Sequence, residues 1–284
     1  MSSATASESL LRGLEPRSLD HDGARIRYFT GGAGSPLVLV HGLAGAATNW
    51  SELVPCLLPR HRLVVPDLPG HGASARLPRL DDLDPLAGAV AAVADAEGAV
   101  PAVVIGHSLG AVVALRLALA HPDVVRALVL VAPAGIGSSS YRGTAALALA
   151  GALRPARAVA RLAGGAFRFR TVRRLAFGYW GIAAADALTR EGALGLIGRG
   201  GRGPAETGRA LRGGDPRTQL DDLACPVLVV CGARDRIIPP DESFEYARRL
   251  HAPVRTIAAA GHLLIAERPA ELAAVLAEWL DGVR

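Results

Sequence analysis

The stretch Val103-Val104-Ile105-Gly106-His107-Ser108-Leu109-Gly110-Ala111-Val112 decides the fold. An apolar, β-branched run ends at Gly106, a serine stands between two glycines, and a new apolar segment runs from Ala111 to Ala120, broken only by Arg116. This reads as a strand, a sharp turn and a buried helix. The turn is so tight that a side chain at either flanking position would clash, which is why glycine stands at both. Such a turn lifts the Ser108 hydroxyl above the strand end. It also aims the Leu109 amide, at the start of the helix, toward any oxygen bound there. G-x-S-x-G by itself is a weak signal, compatible with a small-residue turn and a capping serine. The strand and helix around it give it weight.

On either side of this stretch, short apolar runs recur at Pro36–Val40, Arg62–Pro66, Ala102–Ile105, Arg126–Val131, Pro226–Cys231 and Val254–Ala258. They are nearly continuous rather than alternating, as strands buried on both faces are. Arg268–Leu280 predicts an amphipathic final helix with Pro269 in its first turn. Strands alternating with helices imply a parallel α/β sheet with right-handed crossovers. A hairpin is expected over Arg17–Thr30, turning at His21-Asp22-Gly23. Residues 1–17 read as a flexible leader, and 18–137 with 216–284 as the core.

Length and composition bound the rest. The chain has 284 residues, 50% hydrophobic and 20% charged. That fits one large domain with an insertion and excludes disorder. A chain of this size buries roughly 75% of its unfolded surface and needs no staples. All 31 basic residues are arginine, so a lysine Schiff base and a P-loop lysine are excluded. Aromatic residues make up 4%, too few for the stacking platforms that hold single-stranded nucleic acid. Cys56, Cys225 and Cys231 form no C-x-x-C pair, and a reducing cytoplasmic setting is expected. Met1–Leu19 has no signal-peptide core. No apolar run approaches the ~20 residues of a membrane span.

Residues 138–215 break the alternation and are expected to form an inserted helical cap. They hold 13 arginines against Asp186, Glu191, Glu206 and Asp215, a net of +9, which leaves −4 for the remainder of a chain at +5. Arg154, Arg157, Arg161 and Arg168 share one face if helical. The leading reading is a solvated charged face; attraction to an anionic substrate or a membrane surface comes second, and nucleic acid third. Nine glycines between Gly192 and Gly214 suggest a flexible flap.

A serine nucleophile needs a base. His262, in Ala260-Gly261-His262, alone among the eight histidines follows a strand C-terminal to the serine. The orienting acid is read at Asp235, in Gly232-Ala233-Arg234-Asp235, because ligand sites form at the carboxyl ends of parallel strands; pairing with Arg234 or Arg236 is the alternative. Asp221 and Asp222 precede their strand and fall at the wrong end. In Val40-His41-Gly42-Leu43, the Leu43 amide is the expected second oxyanion donor beside Leu109. His41 either braces this loop or lines the substrate pocket, with Tyr179 and Trp180 lining it from the insertion. Asp67 reads as a structural residue holding turns.

These residues together resemble the α/β-hydrolase superfamily, of the single-domain type with a helical cap. The likeness rests on His41-Gly42, Asp67-Leu68-Pro69-Gly70-His71-Gly72, the Ser108 turn, Asp235 and His262, and spans residues 20–137 and 216–284. Ala111 departs from the glycine usual after the turn. The resemblance implies a mostly parallel eight-stranded sheet whose first hairpin fits Arg17–Thr30. Related enzymes with aspartate at the turn act on haloalkanes and epoxides; Ser108 argues instead for acyl transfer, with a carboxylic ester as the expected small-molecule substrate. Carbon–carbon bond hydrolysis and perhydrolysis share the same three residues, and a ligand-binding protein on the same fold is the alternative outside enzymes. No metal or organic cofactor is implied.

Overall fold

The computed structural model describes residues 10–136, 165–177, 183, 188–196, 203–213 and 216–283. Strands β1 (Glu15–His21), β2 (Ala24–Gly31), β3 (Ser35–Val40), β4 (His61–Pro66), β5 (Ala102–His107), β6 (Val125–Val131), β7 (Val227–Gly232) and β8 (Val254–Ile257) form one sheet in the order β1-β2-β4-β3-β5-β6-β7-β8. β1, β2 and β4 pair antiparallel and the rest are parallel. The β1–β2 connection is the two-residue turn Asp22-Gly23, both at positive φ (47° and 74°). That conformation matches the twist of a hairpin and suits Asp-Gly.

Alternate residues of each central strand point to opposite layers. Val38 and Val40 join one buried cluster, Leu37 and Leu39 the other. The first layer holds α2 (Asp84–Ala96), α3 (Leu109–Ala120) and α7 (Pro240–Arg249). The second holds α1 (Val54–Leu57), α8 (Leu264–Glu267) and α9 (Pro269–Gly282). With apolar cover on both faces, the strands read as continuous hydrophobic runs. α3 is buried nearly all round, so it lacks a polar stripe.

Part of the stretch read as a leader, residues 11 and 15–17, belongs to the folded core. β1 begins at Glu15, and Leu11 is fully buried in the cluster with Phe29, Leu37 and Trp50. The charged, exposed residues of an edge strand hid it. Arg17 of β1, Tyr28 of β2 and Arg62 of β4 all converge on the buried Glu97 after α2, at 3.0, 2.8 and 3.0 Å.

Within residues 138–215, the described pieces include α4 (Arg170–Phe177), α5 (Arg190–Leu196) and α6 (Gly203–Gly213). Several glycines assigned to a flexible flap therefore lie in helices. At Gly203 the glycine serves close packing: a β-carbon there would stand 2.1 Å from Gly70 O. α6 is also tied to the core by the Arg76–Glu206 ion pair, and α5 by Thr189 Oγ1 donating to Glu52 Oε1 at 2.7 Å. Arg154, Arg157, Arg161, Tyr179 and Trp180 lie outside the described residues.

Candidate active site

Three connections bring the candidate residues to one rim of the sheet. β5 ends in Gly106-His107 and α3 starts at Leu109, leaving Ser108 at φ 54°, ψ −118°. A non-glycine residue at positive φ is strained by about 1–3 kcal/mol, so its surroundings must hold it. They do: Ser108 N donates to Val131 O at 2.9 Å, and Ala111 N to Ser108 O at 3.0 Å. A β-carbon at Gly106 would stand 2.3 Å from Gly110 O, and one at Gly110 would stand 2.2 Å from Val40 O. Both glycines are steric requirements.

The other two residues come from β7 and β8. A β-carbon at Gly232 would meet Gly261 O at 2.4 Å, so the end of β7 packs directly on the loop after β8. Asp235 Oδ1 accepts the amides of Ile237 (2.8 Å) and Ile238 (2.9 Å), which leaves Oδ2 for His262. His262 Nδ1 lies 2.8 Å from Asp235 Oδ2, and Nε2 lies 3.1 Å from Ser108 Oγ. The carboxylate only accepts, so Nδ1 carries the proton and the Nε2 lone pair faces the hydroxyl. All three side chains are buried.

The loop after β3 lies alongside. A β-carbon at Gly42 would stand 3.2 Å from Ser108 Cβ, which places the Gly42-Leu43 backbone against the nucleophile turn. Among the described residues, neither the Leu43 nor the Leu109 N–H donates to a backbone carbonyl.

His41, read as a loop brace or a pocket residue, makes the bonds of a loop brace. It is fully buried, and both ring nitrogens are spent on backbone: Nδ1–H donates to Gly42 O at 2.8 Å and Nε2 accepts from Leu68 N at 3.0 Å. Burial pushes its pKa down to about 4, only partly opposed by the bond to Gly42. Asp67 holds the same loop, accepting from Ala47 N at 2.7 Å and Ala73 N at 2.8 Å. Burial raises its pKa above the usual carboxylate range, against those two amide bonds.

Two participants escaped the sequence reading. His107 Nε2–H donates to His262 O at 2.8 Å, and burial, reinforced by the neighbouring His262, lowers its pKa to about 3. Glu267, also buried, accepts the amides of Gly261 (3.0 Å) and Leu263 (3.1 Å). Its only sequence signal is its place five residues after His262. Among the described residues, no cluster of three or more His, Cys, Asp or Glu suits a metal ion. The three cysteines are free, and no helix among the described residues is long and apolar enough to cross a membrane.

A mostly parallel sheet with a serine on a strand-to-helix turn defines an α/β-hydrolase architecture. The family described as alpha/beta hydrolase fold matches residues 35–269, and the chain belongs to it. It is 34% identical over 265 residues to a dihydrolipoyllysine-residue acetyltransferase component of the acetoin cleaving system of Pseudomonas putida, covering 89% of this chain and 66% of that protein. The chain thus spans just under two thirds of that relative's length. It is 34% identical over 238 residues to a pimeloyl-[acyl-carrier protein] methyl ester esterase of Chromobacterium violaceum, covering 78% of this chain and 89% of the relative. A solved hydrolase from Pseudomonas aeruginosa aligns with a TM-score of 0.74 at 25% identity, over 95% of this chain and 98% of the other.

Proposed function

We propose that the chain is a serine hydrolase that cleaves carboxylic esters of small to medium acyl groups through an acyl-enzyme. The observation that carries this reading is the relay Asp235–His262–Ser108, with its 2.8 and 3.1 Å contacts. His262 Nε2 takes the Ser108 proton as Oγ attacks the ester carbonyl carbon. The carbonyl oxygen becomes an oxyanion, held by the Leu43 and Leu109 amides. Removing such a donor typically costs about 100- to 1,000-fold in rate. As the tetrahedral intermediate collapses, the imidazolium returns its proton to the departing alkoxide, and the alcohol leaves. Water then repeats the sequence: His262 takes its proton, hydroxide adds to the acyl carbon, the Ser108–acyl bond breaks and Oγ is reprotonated. Asp235 fixes the imidazole tautomer and stabilises the imidazolium. The esterase name borne by the Chromobacterium violaceum relative agrees with this assignment.

The test is a panel of p-nitrophenyl esters of increasing chain length, run beside Ser108→Ala. Turnover is expected to be strongest on short chains, with the variant near background. A fluorophosphonate probe should label the parent and not the variant. Equal rates in parent and variant would sink the assignment. Turnover of a vinylogous diketone with little ester hydrolysis would move it to carbon–carbon bond cleavage.

A further inference from the structure

We propose that Glu267 and His107 are positioning residues that clamp the backbone around His262 at one polar group on each of three consecutive residues, Gly261, His262 and Leu263, and so set its distance to Ser108. The inference rests on reading His262 as the base. The Gly261 N–H is held by Glu267 Oε2 at 3.0 Å, the His262 carbonyl by His107 Nε2–H at 2.8 Å, and the Leu263 N–H by Glu267 Oε1 at 3.1 Å. The peptide group after His262 is held at both its carbonyl and its N–H, and the one that ends at Gly261 at its N–H.

The arrangement is asymmetric in a telling way. Glu267 ends the one-turn helix α8 that follows His262, and its own N–H donates to Leu263 O at 2.9 Å. The carboxylate therefore closes a compact ring with the loop it holds. His107 comes from the other side, as the residue immediately before Ser108. Its ring ties the backbone carbonyl of the base to the residue that precedes the nucleophile. The rings of His107 and His262 also touch, with centroids 5.0 Å apart.

Burying a carboxylate costs far more than capping a short helix requires, unless each oxygen is satisfied. Each oxygen here accepts an amide, and both amides flank one functional side chain. A loop histidine without such restraint samples positions that break the relay, and misplacement by about 1 Å costs on the order of 100-fold in rate.

The experiment compares the parent, Glu267→Gln and His107→Phe at 25 °C, with thermal midpoints recorded for each. In the glutamine variant an NH₂ group must face one of the two amides. The phenylalanine variant keeps a ring and loses the donor. Each is expected to lower kcat for a short p-nitrophenyl ester roughly 10- to 100-fold, with KM changed by less than about threefold. The low-field proton resonance of His262 Nδ1–H should broaden in both. Folded variants with the parent's kcat and resonance would overturn the clamp. If Glu267→Gln does not fold, Glu267→Asp keeps the charge without the reach and should show the same split. Amide hydrogen exchange on the parent gives an independent readout: Gly261 and Leu263 must be protected, and fast exchange at both refutes the proposal. Should the parent neither hydrolyse esters nor take the fluorophosphonate label, the ester-hydrolase reading falls; the proton resonance and amide protection still decide whether the clamp exists.

Discussion

Gly42 lies against Ser108, such that a β-carbon on it would stand 3.2 Å from Ser108 Cβ and 3.2 Å from the His107 carbonyl oxygen. The loop that offers the Leu43 amide and the turn that offers the nucleophile are therefore packed backbone to backbone. Gly42→Ala demands a shift of a few tenths of an ångström in one of them. It is expected to cut kcat about tenfold while leaving KM nearly unchanged. Gly42→Val should cut kcat further. Steady-state kinetics on one short ester reads both, and an unaltered kcat in the valine variant would contradict the packing.

Asp235→Asn carries a sharper expectation. Because Oδ1 accepts two amides, the asparagine must keep its carbonyl there and turn its NH₂ toward His262. A donor facing Nδ1 forces the imidazole proton onto Nε2, where it faces Ser108 and cannot accept. Loss of roughly 10,000-fold in kcat, the size known for this change in a serine protease, is expected with the fold retained. Circular dichroism and ester kinetics on the same sample check it.

Acid should destabilise the protein through three neutral, buried histidines. His41 is pushed down to about 4, and His71 and His107 to about 3, in each case first by burial. Their folded values lie below the unfolded value of about 6.5, so the unfolded chain binds more protons in that window. Their contribution is complete above about pH 6.5 and is lost as pH falls toward 3–4. At its steepest the loss is on the order of 1.4 kcal/mol per pH unit for each histidine. Asp67, raised above its ordinary value by burial, runs the other way and offsets part of this. Urea unfolding at pH 7.5, 6 and 5 measures the slope; a flat profile would mean that these rings are not buried neutral.

The contact between α6 and the loop after β4 predicts a contrast. Gly203→Val cannot be accommodated against Gly70 O without moving backbone, so hydrogen exchange over residues 203–213 should accelerate. Arg76→Ala removes only the half-exposed ion pair with Glu206 and should cost no more than about 1 kcal/mol. Exchange that is faster in the alanine variant than in the valine variant would reverse the ranking.

The parts of the fold legible in the sequence were those where burial imposes composition. The central strands are apolar on both faces, and Gly106 and Gly110 leave a pattern because side chains there would overlap backbone. The order of the strands along the chain is enough to place Ser108, Asp235 and His262 at one rim. What was illegible depends on pairing across the chain. Glu97 draws in three side chains from separate strands, and Glu267 looks like any helical glutamate until its two amides are seen. Leu11 was missed because the strand after it is charged and exposed. The glycines of α5 and α6 misled because glycine signals freedom and close approach alike, and only the neighbour, as Gly70 is for Gly203, distinguishes them.

β6 and β7 are parallel neighbours, with Leu128–Val131 beside Val227–Val230, and residues 138–215 are strung between them. The chain leaves one strand at the rim that holds Ser108 and enters the next at the opposite rim, a span of about 20 Å. A link of almost any size can close that gap, since doubling a flexible connection costs only about 0.6 kcal/mol. That link can therefore change in length and sequence without disturbing the pairing of β5 through β8, which holds Ser108, Asp235 and His262 at one rim.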